Sequence, residues 1–301
     1  VVRSMLAAVP RLRIVYSCGV GDPVASELPG LLLRLRRDLL SDRLEARIHD
    51  YFPVSPSYCL LGSDGRFNGP VSGDCPEPAH RYRMRDGGAV SLRQWQRGWG
   101  AFLSACDEIT AYSHSSAEIL RDVYPALSHR ISVRAPLPAP LPSRIAPPKT
   151  SCALGVLGNL NMQKGAGVIA ALARRLDAAG DHRPIVVIGN VDAAFPLPAR
   201  VRIHGGYRQA EIADLACRYG ISVWIVPAIW PETYSYSTRE ALATGLPVIA
   251  FDLGAQGEAV RQAVNGHAVP YDPDADLAAR LGAALPVTEP IPRRGPRTCQ
   301  T

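Results

Sequence analysis

Short apolar runs alternate along this chain with segments of helical periodicity, and that rhythm predicts strand, helix, strand, helix. In the first half, residues 12–17, 46–49, 108–112 and 131–133 read as strands, and residues 27–40, 91–106 and 115–123 as helices. Ser91 is placed to cap its helix. Trp95, Trp99 and Leu103 fall on one stripe of that helix, which reads as core packing. Residues 51–88 break the rhythm with many Gly, Pro and Ser. A loop that long inside a compact domain is expected to be functional or partly disordered.

Residues 135–149 hold Pro136, Pro138, Pro140, Pro142, Pro147 and Pro148. Proline at this density forbids helix and sheet interior and makes a semi-rigid spacer, so the domain boundary is placed there. The second half alternates more cleanly. Strands are predicted at 153–157, 184–189, 201–204, 221–226, 247–251 and 268–269, and helices at 167–178, 209–218, 236–244 and 255–263. The near-continuous apolar run at 221–226 is that of a parallel strand. The expected organisation is a domain over 1–134, a linker over 135–149, a second domain over 150–285 and an irregular Pro- and Arg-rich tail over 286–301. Alternation of this kind means a doubly wound α/β sheet, whose ligands bind beyond the carboxyl ends of its strands.

Composition adjusts this picture only slightly. With 301 residues, 47% of them hydrophobic and 20% charged, the chain suits two globular domains. A net charge of +6 favours anionic partners or marks an ordinary basic enzyme; no nucleic-acid partner is expected. The seven cysteines show no C-x-x-C pair, which points to reduced thiols and a cytoplasmic setting. Cys59 and Cys75 flank a Gly-rich loop, but two further metal ligands are not evident. Residues 28–40 are too short to span a membrane and carry Arg34, Arg36 and Arg37. No signal peptide opens the chain, and its first residue is Val1, so a fragment is expected.

Two loops carry the chemistry. Gly158-Asn159-Leu160-Asn161-Met162-Gln163-Lys164-Gly165 follows a strand and opens a helix. Amides at a helix start, with Lys164, suit a diphosphate. The plain alternative is a βα turn with a surface lysine. The second loop runs from Pro227 to Val248 and holds Glu232 and Glu240, eight residues apart. At about 1.5 Å per residue they stand roughly 12 Å apart on nearly the same helix face. That is too far for two carboxylates acting on one bond. It suits two groups gripping the ends of an extended ligand, with the free amides of the helix start, around Tyr234 to Ser237, between them. A nucleotide diphospho-sugar has that layout, with ribose hydroxyls, diphosphate and sugar hydroxyls in order. One capping and one solvated glutamate would explain the same spacing.

The second segment resembles the E-x7-E motif of the retaining GT-B glycosyltransferases of family GT4, in Glu232, Glu240, Ala241, Gly245, Pro247 and Val248. The Gly158 loop is similar to the same family's donor loop in Gly158, Leu160, Lys164 and Gly165. Asn159 stands where arginine is usual, and Thr233 and Ser235 replace glycines. His49-Asp50 resembles the family's His-Asp loop near the donor sugar, and Ser113-His114-Ser115 its Ser loop, with His114 read as structural.

The resemblance implies two Rossmann-like domains facing a cleft, the first incomplete because nothing before residue 12 matches the family's first strand and Gly-rich loop. It implies His49, Lys164 and Glu232 as catalytic residues, and Gly158, Asn159, Lys164, Glu232, Thr233, Tyr234, Ser235, Tyr236 and Glu240 as donor ligands. It implies sugar transfer with retention and no metal or other cofactor, from a nucleotide-diphosphate sugar to a glycan or lipid-linked acceptor in polysaccharide or lipopolysaccharide assembly. The expected setting is cytoplasmic, with a peripheral contact to anionic membrane on its inner face. A nucleotide-sugar epimerase and a non-catalytic nucleotide-sugar-binding remnant are the rival readings.

Overall fold

A computed structural model of the protein describes residues 11–22, 24–38, 43–137, 140–148 and 152–286. Two all-parallel sheets organise them. The first joins β1 (Arg13–Tyr16), β2 (Arg43–Arg47), β5 (Glu108–Ala111) and β6 (Ile131–Val133), in the order β1-β2-β5-β6. Its helices are α1 (Leu28–Asp38), α2 (Leu92–Ala105) and α3 (His114–Val123). A small hairpin of β3 (Tyr82–Arg83) and β4 (Ala89–Val90) precedes α2.

The second sheet runs β12-β11-β10-β7-β8-β9. Its strands are β7 (Ala153–Leu157), β8 (Ile185–Ile188), β9 (Val201–Gly205), β10 (Ile221–Val226), β11 (Val248–Phe251) and β12 (Gly266–Val269). Around it lie α4 (Ala166–Ala178), α5 (Ile212–Tyr219), α6 (Tyr236–Ala243), α7 (Gly254–Gln262) and α8 (Leu277–Ala284). β7 and β8 are buried along their whole length, as expected of strands covered on both faces.

The two sheets differ in patterning. In the first, Leu44, Ala46, Ile48, Ile109 and Ala111 are buried, while Arg13, Arg43, Glu45, Arg47, Glu108, Thr110 and Tyr112 line a groove on the alternate positions. Strand β2 therefore starts at Arg43 rather than at residue 46, and His49 lies two residues beyond its end. Its inward positions alternate with charge, so no continuous apolar run announces it.

The structure adds to the sequence reading at three places. Much of residues 51–88 is packed: Tyr51, Phe52, Val54, Leu60 and Leu61 are buried, and Phe52 meets Trp95 and Trp99 edge-on. Both tryptophans are core, 2% and 1% exposed. Helix α8 follows β12, capped by Asp276 and packed on α4, in a stretch to which the sequence reading assigned no element. Of the basic side of α1, Arg36 is bound to the Ala105 carbonyl and, at 3.1 Å, to Asp107. Beyond Pro286, the expected tail lies outside the described residues.

Several contacts join the halves. Thr233 Oγ1 donates to the His49 carbonyl at 2.9 Å, Gln163 Nε2 to Tyr58 Oη at 2.9 Å, and the Phe67 amide to Tyr271 Oη at 3.2 Å. The Glu258 carboxylate accepts from the amides of His114, at 3.1 Å, and of Ser115. A glutamate of α7 thus caps α3 across the interface and offsets that helix's positive end.

Candidate nucleotide-sugar site

The Gly158 loop leaves β7 and ends at Gly165, the N-cap of α4. Gly165 has φ +81°, and a Cβ there would lie 2.0 Å from the Pro227 carbonyl oxygen. Only glycine permits so close an approach. Nearby, the Ile229 amide donates to the Gln163 carbonyl at 3.0 Å. Together these contacts hold the two loops side by side, and Lys164 Nζ meets Glu232 Oε1 at 2.8 Å. The ammonium also lies 5.9 Å from the centre of the Trp230 ring.

Glu232 is 3% exposed. Its amide donates to Gln256 Oε1 at 3.1 Å, and Gln256 Nε2 donates to the Trp230 carbonyl at 2.8 Å, which fixes the loop before α6. Ser235 is the N-cap residue of α6 and stands in a left-handed conformation, φ +58°, which favours glycine. A hydroxyl contact of 2.6 Å between Ser235 and Thr238 accompanies it.

On α6, Glu240 Oε1 accepts from Gln209 Nε2 at 2.8 Å. Burial pushes the Glu240 carboxyl above its ordinary range, and the Gln209 hydrogen bond partly opposes that shift. Burial pushes the neighbouring Tyr207 hydroxyl up to about 12, with the Glu240 charge adding to it.

Across the cleft, His49 Nε2 lies 3.3 Å from Tyr112 Oη. Burial holds the His49 imidazole below its ordinary value, with Arg47 acting the same way and Asp50 opposing.

These groups face one cavity of about 450 Å³. His49, Gly158, Asn159, Lys164, Glu232, Thr233, Tyr234, Ser235, Tyr236 and Glu240 all line it. Asn159 does not replace a missing arginine: its Oδ1 accepts from the Asn190 amide at 2.9 Å and is tied to the neighbouring turn. His114 faces a different cavity, beside Glu118, Asp252 and Arg261. The wall also contains Ser237, whose amide the sequence placed between the glutamates, and Tyr112, Tyr207 and Trp230, which it did not single out. Their only signal was proximity to the loops, since Tyr112 precedes Ser113 and Tyr207 follows β9. A more apolar groove of about 590 Å³ adjoins at Tyr234, Tyr236 and Glu240, but it lacks Lys164, Glu232 and His49. Among the described residues no group of three His, Cys, Asp or Glu could hold a metal ion, and Cys59 and Cys75 have no such partners.

Known proteins show the same architecture. The structure aligns over 94% of this chain with sucrose-phosphate synthase from Thermosynechococcus elongatus, at 15% identity and TM-score 0.61. It aligns equally far with Anabaena HepE in complex with UDP, at 13% identity and TM-score 0.59. The catalytic domain of starch synthase IV from Arabidopsis thaliana, bound to ADP and acarbose, gives 15% and 0.53, again over 94%. The fold is GT-B. The chain spans 66%, 71% and 67% of those three chains. Residues 151–285, under half of the chain, match the family described as glycosyl transferases group 1. No curated protein matches the sequence.

Proposed function

We propose that this chain transfers a sugar from a nucleoside diphosphate sugar to a glycan or lipid-linked acceptor, with retention, as in family GT4. The observation that carries the reading is the single cavity lined together by Lys164, Glu232, the start of α6 and Glu240, the kinds of group that suit a nucleotide sugar. Glu240 accepts hydrogen bonds from the ribose hydroxyls. The α6 amides and Lys164 hold the diphosphate. Glu232 and His49 bracket the sugar, Glu232 through the oxygen that Lys164 leaves open. Similar folds are recorded with UDP and with ADP, which supports a nucleoside diphosphate as the ligand class.

The chemistry follows from those positions. The bond from the anomeric carbon to the β-phosphate oxygen breaks. The acceptor hydroxyl bonds to that carbon from the same face, and its proton passes to the departing phosphate. Glu232 is suited to hydroxyl contacts rather than covalent attack, because its carboxylate is already paired with an ammonium. Lys164 and the helix amides stabilise charge on the leaving group, which makes the enzyme's contribution electrostatic. Among the described residues no cluster of three His, Cys, Asp or Glu offers a metal seat, and the reading includes transfer without a divalent ion.

The role we assign is in cell-surface polysaccharide or lipopolysaccharide synthesis, in the cytoplasm, at the inner face of the membrane. Among the described residues no helix is long and apolar enough to cross a membrane.

Incubation with UDP-glucose, UDP-N-acetylglucosamine, ADP-glucose and GDP-mannose, with and without oligosaccharide acceptors, tests the reading by NMR of the product. An α-linked product from an α-linked donor, insensitive to EDTA, is expected. A free epimerised nucleotide sugar formed without acceptor would replace transfer by epimerisation. Activity lost to EDTA and restored by manganese or magnesium would contradict the metal-free reading.

A further inference from the structure

The charged face of the first sheet is a second site. A groove of about 320 Å³ runs across it, lined by Arg13 of β1, Arg43, Glu45 and Arg47 of β2, Glu108 and Thr110 of β5, Tyr112, and residues 134–137. Among the described residues, no helix contributes a side chain to that lining. Parallel sheets are ordinarily covered on both faces by apolar contacts. Here the covering position carries four arginines against two glutamates, a surplus of two positive charges.

The ion pairs show where that surplus sits. Glu45 is 3% exposed and is held by Arg13 and, at 2.6 Å, by Arg43. Glu108 is held by Arg43 at 2.5 Å and Arg134 at 2.8 Å. Arg47 reaches Glu45 only at 3.8 Å, and its side chain is 42% exposed. Arg134 has the most exposed side chain of the four arginines, at 65%. The oxygens of Glu45 are thus occupied by two other guanidiniums, and the planar fork of Arg47 is left to the groove. An arginine fork matches phosphate or carboxylate geometry better than an ammonium does.

Position gives the surplus a purpose. Tyr112 and Pro136 line both this groove and the nucleotide-sugar cavity. Tyr112 Oη is the group 3.3 Å from His49 Nε2. A molecule anchored at Arg47 and Arg134 therefore extends past Tyr112 to the place where the donor sugar meets His49.

We propose that Arg47 and Arg134 seat an anionic group, phosphate or carboxylate, on the acceptor, and so select a charged glycan or a lipid-linked phosphate over a neutral acceptor. This rests on the transferase reading above. The groove anchors the acceptor and leaves the sugar hydroxyl next to the anchored group free to enter the cleft.

Calorimetry on the whole chain tests this, with the donor cavity filled by whichever of UDP, ADP and GDP binds. Cellobiuronic acid against neutral cellobiose probes the carboxylate source, geranyl diphosphate against geranyl alcohol the phosphate source, and a hexaglutamate peptide an acidic protein segment. One of the two acceptor-type anions is expected to bind at least about tenfold more tightly than its neutral partner, and the Arg47→Gln, Arg134→Gln double variant to lose about 10- to 100-fold for it, as for charged hydrogen bonds. Nucleotide affinity and thermal unfolding of that variant should match the parent. Arg47→Lys, which keeps the charge without the fork, should retain part of the preference.

Equal binding of charged and neutral probes beside a bound nucleotide overturns this inference alone, as does a double variant that binds as well as the parent. Binding of the peptide only would give the face to a protein partner and overturn it too. Failure of every nucleotide to bind overturns the transferase reading, and the acceptor role with it.

Discussion

Glu240 is the residue whose chemistry is most exposed to test. Burial raises its carboxyl above the ordinary value of 4.5, while the role proposed for it, accepting from ribose hydroxyls, needs the carboxylate. Nucleotide affinity is therefore expected to fall as pH drops through that raised value. Glu240→Gln should bind more weakly by on the order of 1.5–3 kcal/mol at neutral pH, and without that acid dependence. Calorimetry from pH 4.5 to 7.5 reads both. Parent-like affinity in the variant would remove Glu240 from the site. His49 moves the other way. Its folded value lies below its ordinary 6.5, so the unfolded chain binds its proton more readily. The contribution of His49 is then complete above about pH 6.5 and is lost as pH falls through the folded value. His49→Asn should flatten the stability profile across that window in thermal melts at fixed ionic strength. An unchanged slope would mean that His49 is solvated as freely in the folded chain as in the unfolded one.

At the scale of elements, the approach of the Gly158 loop to the Glu232 loop depends on Gly165, where a methyl group would strike the Pro227 carbonyl. Gly165→Ala should cost at least on the order of 1–3 kcal/mol of stability from backbone strain, and should weaken nucleotide binding by separating Lys164 from Glu232. Denaturant titration gives the first quantity and calorimetry the second. A variant as stable as the parent would show the loops to be held by something else. What could be read in the sequence followed from how each element is buried. β7, β8, β10 and β11 are apolar runs covered on both faces, and each was visible. β2 was mostly hidden because charges pairing across strands interrupt its inward residues. Helix α8 went unassigned because what stabilises it, packing on α4, is remote in sequence. Ten site residues could be named because nine lie in two local motifs and His49 in a third. Tyr112 and Tyr207 complete the wall only through topology, and side-chain periodicity carries no trace of that.

For the molecule as a whole, the site depends on two halves meeting. Glu258 is 8% exposed and ties α7 to the start of α3. Glu258→Ala should lower stability by about 1–2 kcal/mol, the value of a helix cap, while leaving nucleotide affinity nearly intact because Glu258 does not line the donor cavity. A melt with two separate transitions would show in addition that this contact couples the halves. An unchanged single transition would show the cap to be idle. The central claim is that the cavity at the carboxyl ends of the second sheet holds a nucleoside diphosphate through Lys164. Its most direct test is calorimetric titration of UDP, ADP and GDP against their monophosphates, with the parent and with Lys164→Ala. At least one diphosphate is expected to bind more tightly than its monophosphate, and Lys164→Ala to erase the difference while monophosphate binding persists. Equal loss of both, or no nucleotide bound at all by the folded parent chain, would contradict it.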